Sequence, residues 1–319
     1  MRASCLAAAA ALVLIGCAPG EPSAPLFGEV EDLGGAFGWA EGPVWIERDG
    51  GYLLFTDVPN KTIWRYDDQN GLSEWMTPST LPGADVPDDA QGANGLALLD
   101  AKTLLVPDHG SRTLYALDLD SGDARVLADT FGGRRLNSPN DVVRAEDGTL
   151  YFTDPPYGLR GQDDDPAREL DVNAVYRLSP DGAIDVVSTR HSRPNGIALS
   201  PDERSLYVSN SNPDATYWRY AVDQQGRVDG APKLLADLTE MRADIGYGNP
   251  DGLAVARDGT LFATGPGGLV VLSPDGDVLD TLSVGKPCAN VTFGGDERDT
   301  LYLTCKDRLY RVPTSKRGL

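Results

Sequence analysis

After residue 37 the apolar positions fall in short runs bounded by Gly, Pro, Asp and Asn. That is the spacing of strands and tight turns, and no stretch shows the periodicity of an amphipathic helix. One phrase keeps returning: an acidic or amide residue, usually Gly, a short apolar run, a charged turn, then a strand rich in Leu, Tyr and Phe. It begins at Glu41-Gly42-Pro43-Val44, Asn94-Gly95-Leu96-Ala97, Asn140-Asp141-Val142-Val143, Asn195-Gly196-Ile197-Ala198, Asp251-Gly252-Leu253-Ala254 and Asn290-Val291-Thr292-Phe293. Second strands include Leu150-Tyr151-Phe152-Thr153-Asp154 and Leu206-Tyr207-Val208-Ser209, and third strands include Thr62-Ile63-Trp64-Arg65-Tyr66. Six copies at a period of about 40 to 56 residues, each worth three or four strands, predict radial repetition. No copy can bury a sheet face alone, so the copies must stack around an axis. The expectation is an all-β chain: a six-bladed β-propeller of four-stranded blades over residues 26–319. Residues 26–36, which precede the first copy, would add the outer strand of the last blade and close the ring. A β-sandwich would not repeat a phrase with a fixed polar first residue.

In a propeller the innermost strand of each blade runs along the central channel, so equivalent repeat positions meet near the axis. The first residues of the six phrases are Glu41, Asn94, Asn140, Asn195, Asp251 and Asn290. All carry a carbonyl or carboxylate oxygen at one mouth of the channel. Burying such a ring without partners is costly, and a cation at its centre would satisfy it. Two carboxylates among neutral oxygen donors suit a hard ion, Ca²⁺ first, with Mg²⁺ or Mn²⁺ as alternatives; the lack of Cys or paired His in the ring disfavours zinc. Chain direction puts the segments 78–93, 131–139, 155–172, 188–194 and 237–250 on the same face. They are long, rich in Pro, Asp and Gly, and placed where loops on a rigid scaffold carry function. The only two histidines, His109 and His191, fall on that face and could shuttle a proton.

Composition adds two constraints. Gly at 36 and Pro at 23 fit a turn-rich fold, and 48 acidic against 28 basic residues give a net charge of −20, which disfavours nucleic acid as a partner. The N-terminus reads as a targeting segment: Met1-Arg2, an apolar run from Leu6 to Ile15, then Leu14-Ile15-Gly16-Cys17, which resembles the bacterial lipobox. Residues 1–16 are then a lipoprotein signal peptide, Cys17 the lipidated first residue, and 17–25 a tether. The expected location is the bacterial cell envelope, with the membrane touched only through the lipid. In an exported chain disulfides persist. Cys288 and Cys305 bracket one predicted hairpin at similar distances from its turn, an arrangement compatible with a disulfide.

The segments Leu136-Asn137-Ser138-Pro139-Asn140-Asp141, Thr153-Asp154-Pro155-Pro156-Tyr157-Gly158, Arg193-Pro194-Asn195-Gly196 and Asn249-Pro250-Asp251-Gly252 resemble the bacterial gluconolactonases of the senescence marker protein (regucalcin) family. The resemblance runs from about Phe37 to Val312, with the motifs in order and in register. It implies that Glu41, Asn140, Asn195 and Asp251 hold a divalent metal and that Asp251 doubles as base or nucleophile. Asn94, His109, Asn137 and Asn290 become the candidates for contacting substrate or a bound water. The implied activity is hydrolysis of a sugar lactone by a monomer. The same oxygen set would also serve a phosphotriester or P–F hydrolase, or hold a structural ion in a non-catalytic binding propeller. The acidic run from Gly161 to Ala167 departs from familiar members in the wall of the expected pocket.

Overall fold

A computed structural model describes residues 25–319; the expected signal peptide, Cys17 and the expected tether as far as residue 24 lie outside the described residues. Six antiparallel four-stranded sheets form the propeller. From axis to rim, blade 1 is Ala40–Ile46, Tyr52–Asp57, Thr62–Asp67 and Gly71–Met76. Blade 2 is Ala97–Asp100, Thr103–Asp108, Thr113–Asp118 and Ala124–Ala128. Blade 3 is Val142–Arg144, Leu150–Asp154, Ala174–Leu178 and Ile184–Ser188. Blade 4 is Pro194–Leu199, Ser205–Asn210, Thr216–Val222 and Val228–Asp237. Blade 5 is Leu253–Val255, Leu261–Gly265, Gly268–Leu272 and Val278–Leu282. Blade 6 takes Asn290–Gly294, Thr300–Cys305 and Arg308–Pro313 from the end of the chain. Its outer strand is Glu31–Gly34, paired with Arg308–Pro313, so the expected ring closure is present.

The second strand of each blade is buried on both faces, and its alternation explains the packing. In blade 3, Leu150 and Phe152 face blade 2, whereas Tyr151 faces blade 4. In blade 1, Tyr52 and Leu54 face blade 2, whereas Leu53 and Phe55 face blade 6. The apolar residues thus divide into six clusters, one in each gap between neighbouring blades. This is the burial that a single copy could not achieve, and it explains why these strands read as nearly continuous apolar runs.

Two short helices interrupt the loops. The α-helix Thr239–Ile245 buries no residue, so no apolar stripe marked it in the sequence; it ends at Gly246 in the left-handed conformation, whose N–H bonds Arg242 O. A 3₁₀ turn spans Gln162–Asp164. Cys288 and Cys305 are joined, tying the approach to the inner strand of blade 6 to the end of its second strand. No helix among the described residues is long and apolar enough to cross a membrane.

Replacing Phe152 with Ala tests the wedge between blades. Its side chain is fully buried and its ring stacks on Tyr176 with centroids 5.2 Å apart. The expected loss is about 3–5 kcal/mol of unfolding free energy, read from denaturant titration, with the fold retained.

Candidate active site at the channel mouth

The inner strands approach one another closely because a small residue follows most of the ring positions. A Cβ on Gly42 (φ +47°) would strike Asn94 O, one on Gly95 would lie 2.7 Å from Asn140 O, one on Gly196 would overlap the backbone of Asp251, and one on Gly252 would overlap the side chain of Asn290. Gly95 N–H also donates to Asn140 O at 2.7 Å. Hydroxyls at the ends of second strands brace the same junctions: Thr56 Oγ1 donates to Asn94 O (2.8 Å), Thr153 Oγ1 to Asn195 O (2.7 Å) and Ser209 Oγ to Asp251 O (2.8 Å). The residue after each hydroxyl holds the loop leading into the inner strand of its own blade. Asp57 accepts from Gly38 N–H, Asp154 from Asn137 and Ser138 N–H, and Asn210 Oδ1 from Arg193 N–H. These braces were absent from the sequence reading; the recurring Thr/Ser-Asp/Asn pair closing second strands was the signal for them.

This framework places Glu41, Asn94, His109, Asn140, Asn195 and Asp251 on one cavity of about 320 Å³, walled by Trp39, Val58, Pro59 and Tyr157. The size is that of a small-molecule site. Glu41 is 2% exposed and Asn94 6%. Asn94 Oδ1, Asn140 Oδ1 and Asp251 Oδ1 are sealed from solvent without a hydrogen-bond partner among the described residues. Three unpartnered buried oxygens at one mouth suit a donor or cation that would satisfy them.

The amide orientations have visible causes. His109 Nδ1 lies 2.7 Å from Gln91 Oε1, an acceptor, so Nδ1 carries the proton. His109 Nε2 is left as an acceptor 3.5 Å from Asn140 Nδ2, which turns Asn140 Oδ1 inward. Asn195 Nδ2 donates to Ser211 Oγ (2.9 Å), which donates to Pro250 O (2.7 Å). Gln91 and Ser211 were not foreseen, because nothing in their local spacing distinguishes them from ordinary loop residues; Tyr157 stands in a segment that carries the resemblance but was given no role.

Burial raises the Glu41 carboxyl, and Gly42 N–H and Asn290 Nδ2 on Oε2 work against that rise. Burial followed by the charge of Glu41 holds the Asp251 carboxyl well above the usual range. Asp141, beneath Asn140, is pushed up to about 7 by burial and by Glu41. Two acids facing one oxygen-lined cavity with raised proton affinity need either protons or a cation.

Two residues expected at the substrate lie elsewhere. Asn290 belongs to the opposite mouth of the channel, where its Nδ2 supports Glu41 from below (3.2 Å) and its Oδ1 accepts Val291 N–H. Asn137 is fully buried behind the cavity, its Nδ2 donating to Val172 O and Asp154 O. His191 also misses the cavity; its Nε2 is 2.6 Å from Tyr220 Oη and its ring packs on Trp218.

Fold and cavity together define a propeller with a small-molecule site at one mouth of its channel. Residues 39–307 match the SMP-30/gluconolactonase/LRE-like region, and the chain belongs to that family. A gluconolactonase of Zymomonas mobilis subsp. mobilis is 36% identical over 297 residues, covering 91% of this chain and 82% of that protein. A pentonolactonase of Haloferax volcanii is 28% identical over 271 residues, covering 83% and 80%. The solved structure of a gluconolactonase from Xanthomonas campestris, with a role in glucose secondary metabolism, aligns over 91% of each chain at 29% identity with a TM-score of 0.76.

Burial pushes His109 down to about 3 and His191 down to about 4. Imidazole NMR resonances of the folded protein should therefore stay unshifted from about pH 8 to about pH 5, where exposed histidines titrate. The unfolded chain takes up protons there that the folded chain does not, so this contribution to stability is lost as pH falls below about 6.5.

Proposed function

We propose that the protein is a lactonase that opens a sugar lactone in the cavity over Glu41 and Asp251. The observation that carries this reading is the convergence of Asp251 Oδ1, Asn140 Oδ1 and Asn94 Oδ1, unpartnered, on a small cavity containing a carboxylate of raised proton affinity. The family and its lactonase relatives support it. The donor set also suits a divalent cation, Ca²⁺ first and Mg²⁺ or Mn²⁺ next: Glu41, Asn140, Asn195 and Asp251 would hold it through hard oxygens, and no cluster of three His, Cys, Asp or Glu competes among the described residues. Such an ion supplies charge balance for the two acids and electrophilic polarisation of an ester carbonyl.

The chain's own groups account for the remaining chemistry. Asp251 takes a proton from water as the water oxygen adds to the lactone carbonyl carbon. The ring C–O bond then breaks, Asp251 returns its proton to the departing oxygen, which leaves as a hydroxyl, and the product is a hydroxy acid. Asn94 Oδ1 orients the water or a substrate hydroxyl. His109, neutral, fixes Asn140 through Nε2. Trp39, Val58 and Pro59 limit water to the reacting face.

Asp251→Asn should lower kcat on D-glucono-1,5-lactone by about 10²–10⁴ with the far-ultraviolet dichroism unchanged. EDTA should abolish activity, and Ca²⁺ restore it. An Asp251→Asn variant of wild-type activity would sink the base assignment, and activity indifferent to EDTA would sink the cation.

We also propose export and lipid anchoring at Cys17, supported by the Leu14–Cys17 motif and by a disulfide of the kind that oxidising compartments preserve. A Cys17→Ala variant should lose labelling by radioactive palmitate and leave the membrane fraction; labelling that persists would refute the anchor.

A further inference from the structure

Two amides at the cavity rim, Gln162 and Asn249, were given no role by the chemistry above. Both are exposed, and both are held in the same way. Arg193 Nη2 donates to Gln162 Oε1 at 3.2 Å, and Arg242 Nη1 donates to Asn249 Oδ1 at 3.2 Å. Each guanidinium is itself anchored. Arg193 Nη1 donates to Ser192 O at 2.7 Å and Nη2 pairs with Asp163 at 2.5 Å. Arg242 Nη2 donates to Pro213 O at 2.6 Å, and its Nη1 also reaches Ser211 O at 3.2 Å. With the carbonyl oxygens occupied, each amide is left with its NH₂ group, which has no protein partner among the described residues. An amide whose oxygen accepts from a guanidinium is also a stronger N–H donor.

The backbone around Gln162 shows that its placement is imposed. Gln162 has φ +49°, a left-handed conformation that L side chains rarely adopt. It opens the 3₁₀ turn in the acidic segment on the cavity wall. Asp163 beside it is tied to Arg168 at 3.1 Å and accepts Asn173 Nδ2 at 3.0 Å, which fixes the turn over the cavity. Opposite, Asn249 stands two residues before Asp251, so its position follows from that of the proposed base.

We propose that Gln162 and Asn249 are specificity-determining residues that donate through Nε2 and Nδ2 to hydroxyl oxygens of the lactone remote from its ester carbonyl. The assignment rests on the lactonase reading and deepens it: the site selects a polyhydroxylated lactone over a bare one. Ring oxygens at the floor serve the reacting ester, and the rim reads the remainder of the molecule. Neither rim amide touches the reacting atoms.

The test compares D-glucono-1,5-lactone with δ-valerolactone, which keeps the ester ring and lacks hydroxyls. Gln162→Ala and Asn249→Ala should each raise KM for the sugar lactone about fivefold, the loss of one net hydrogen bond, with kcat nearly constant. Both should leave kcat/KM for δ-valerolactone unchanged. Gln162→Gly, which relieves the backbone while removing the amide, should show the same KM increase and separate recognition from strain. Equal losses on both lactones, or no loss on the sugar lactone, would overturn the proposal and leave the lactonase reading intact. Calorimetry with D-gluconate, the product, supplies a readout independent of turnover. If the wild type opens neither lactone yet binds gluconate, and the variants bind about fivefold more weakly, the hydrolase reading fails and the rim assignment stands. Gluconate that fails to bind an inactive wild type overturns both.

Discussion

Everything at the channel mouth depends on how closely six inner strands can approach an axis while each keeps a polar residue pointed at it. Side chains on the following positions would hold the strands apart. Gly42, Gly95, Gly196 and Gly252 remove that obstacle, and each abuts the ring position of the next blade. Thr56, Thr153 and Ser209 convert the close approach into fixed distances by bonding the ring carbonyls across the junction. The side-chain oxygens of Asn94, Asn140 and Asp251 are thereby left pointing inward with their own backbone already satisfied. An oxygen buried without a partner costs free energy in the folded chain. The cost is carried by the six apolar clusters between the blades, which is why a site of this kind requires a whole propeller beneath it.

The blade count, the ring closure and the ring of oxygen-bearing residues were legible in the sequence because each rests on a repeated position. Period-two alternation and turn chemistry are local, and six registered copies make them unambiguous. Asn290 shows the limit of that reasoning. Repeat register put it in the ring, yet its side chain turns to the opposite mouth and supports Glu41, because its Oδ1 is captured by the next backbone N–H. Asn137 shows a second limit. It sits within a segment that carries the family resemblance, but Asp154 holds its backbone and its side chain bonds within the loop packing. Motif membership does not distinguish a wall residue from the support behind it. His109 and His191 looked equivalent by chain direction, and only the third dimension separates a cavity residue from one packed against Trp218.

The residues that could not be read come from loops of unrelated length and sequence. Gln91, Tyr157, Gln162, Ser211 and Asn249 converge on the cavity from four loops, Tyr157 and Gln162 sharing one. Their roles come from guanidinium, imidazole and hydroxyl partners that choose which end of an amide faces the ligand. Most such choices are made by pairs distant in sequence, and even Arg242 and Asn249, seven residues apart, carry no spacing that announces their bond. The floor is a property of the repeat, and the rim is a property of the loops that join its strands.

The strand Glu31–Gly34, which completes the sixth sheet, has a kinetic consequence. Its partner, Arg308–Pro313, follows the other five blades in the chain, so no growing fragment that stops short of it can own a closed perimeter. The seam stays open until that strand is made, and its pairing is highly nonlocal. A polypeptide built this way resists premature closure into its finished circle. The same seam makes two strands far apart in sequence guardians of one joint: removing either would unzip the identical sheet.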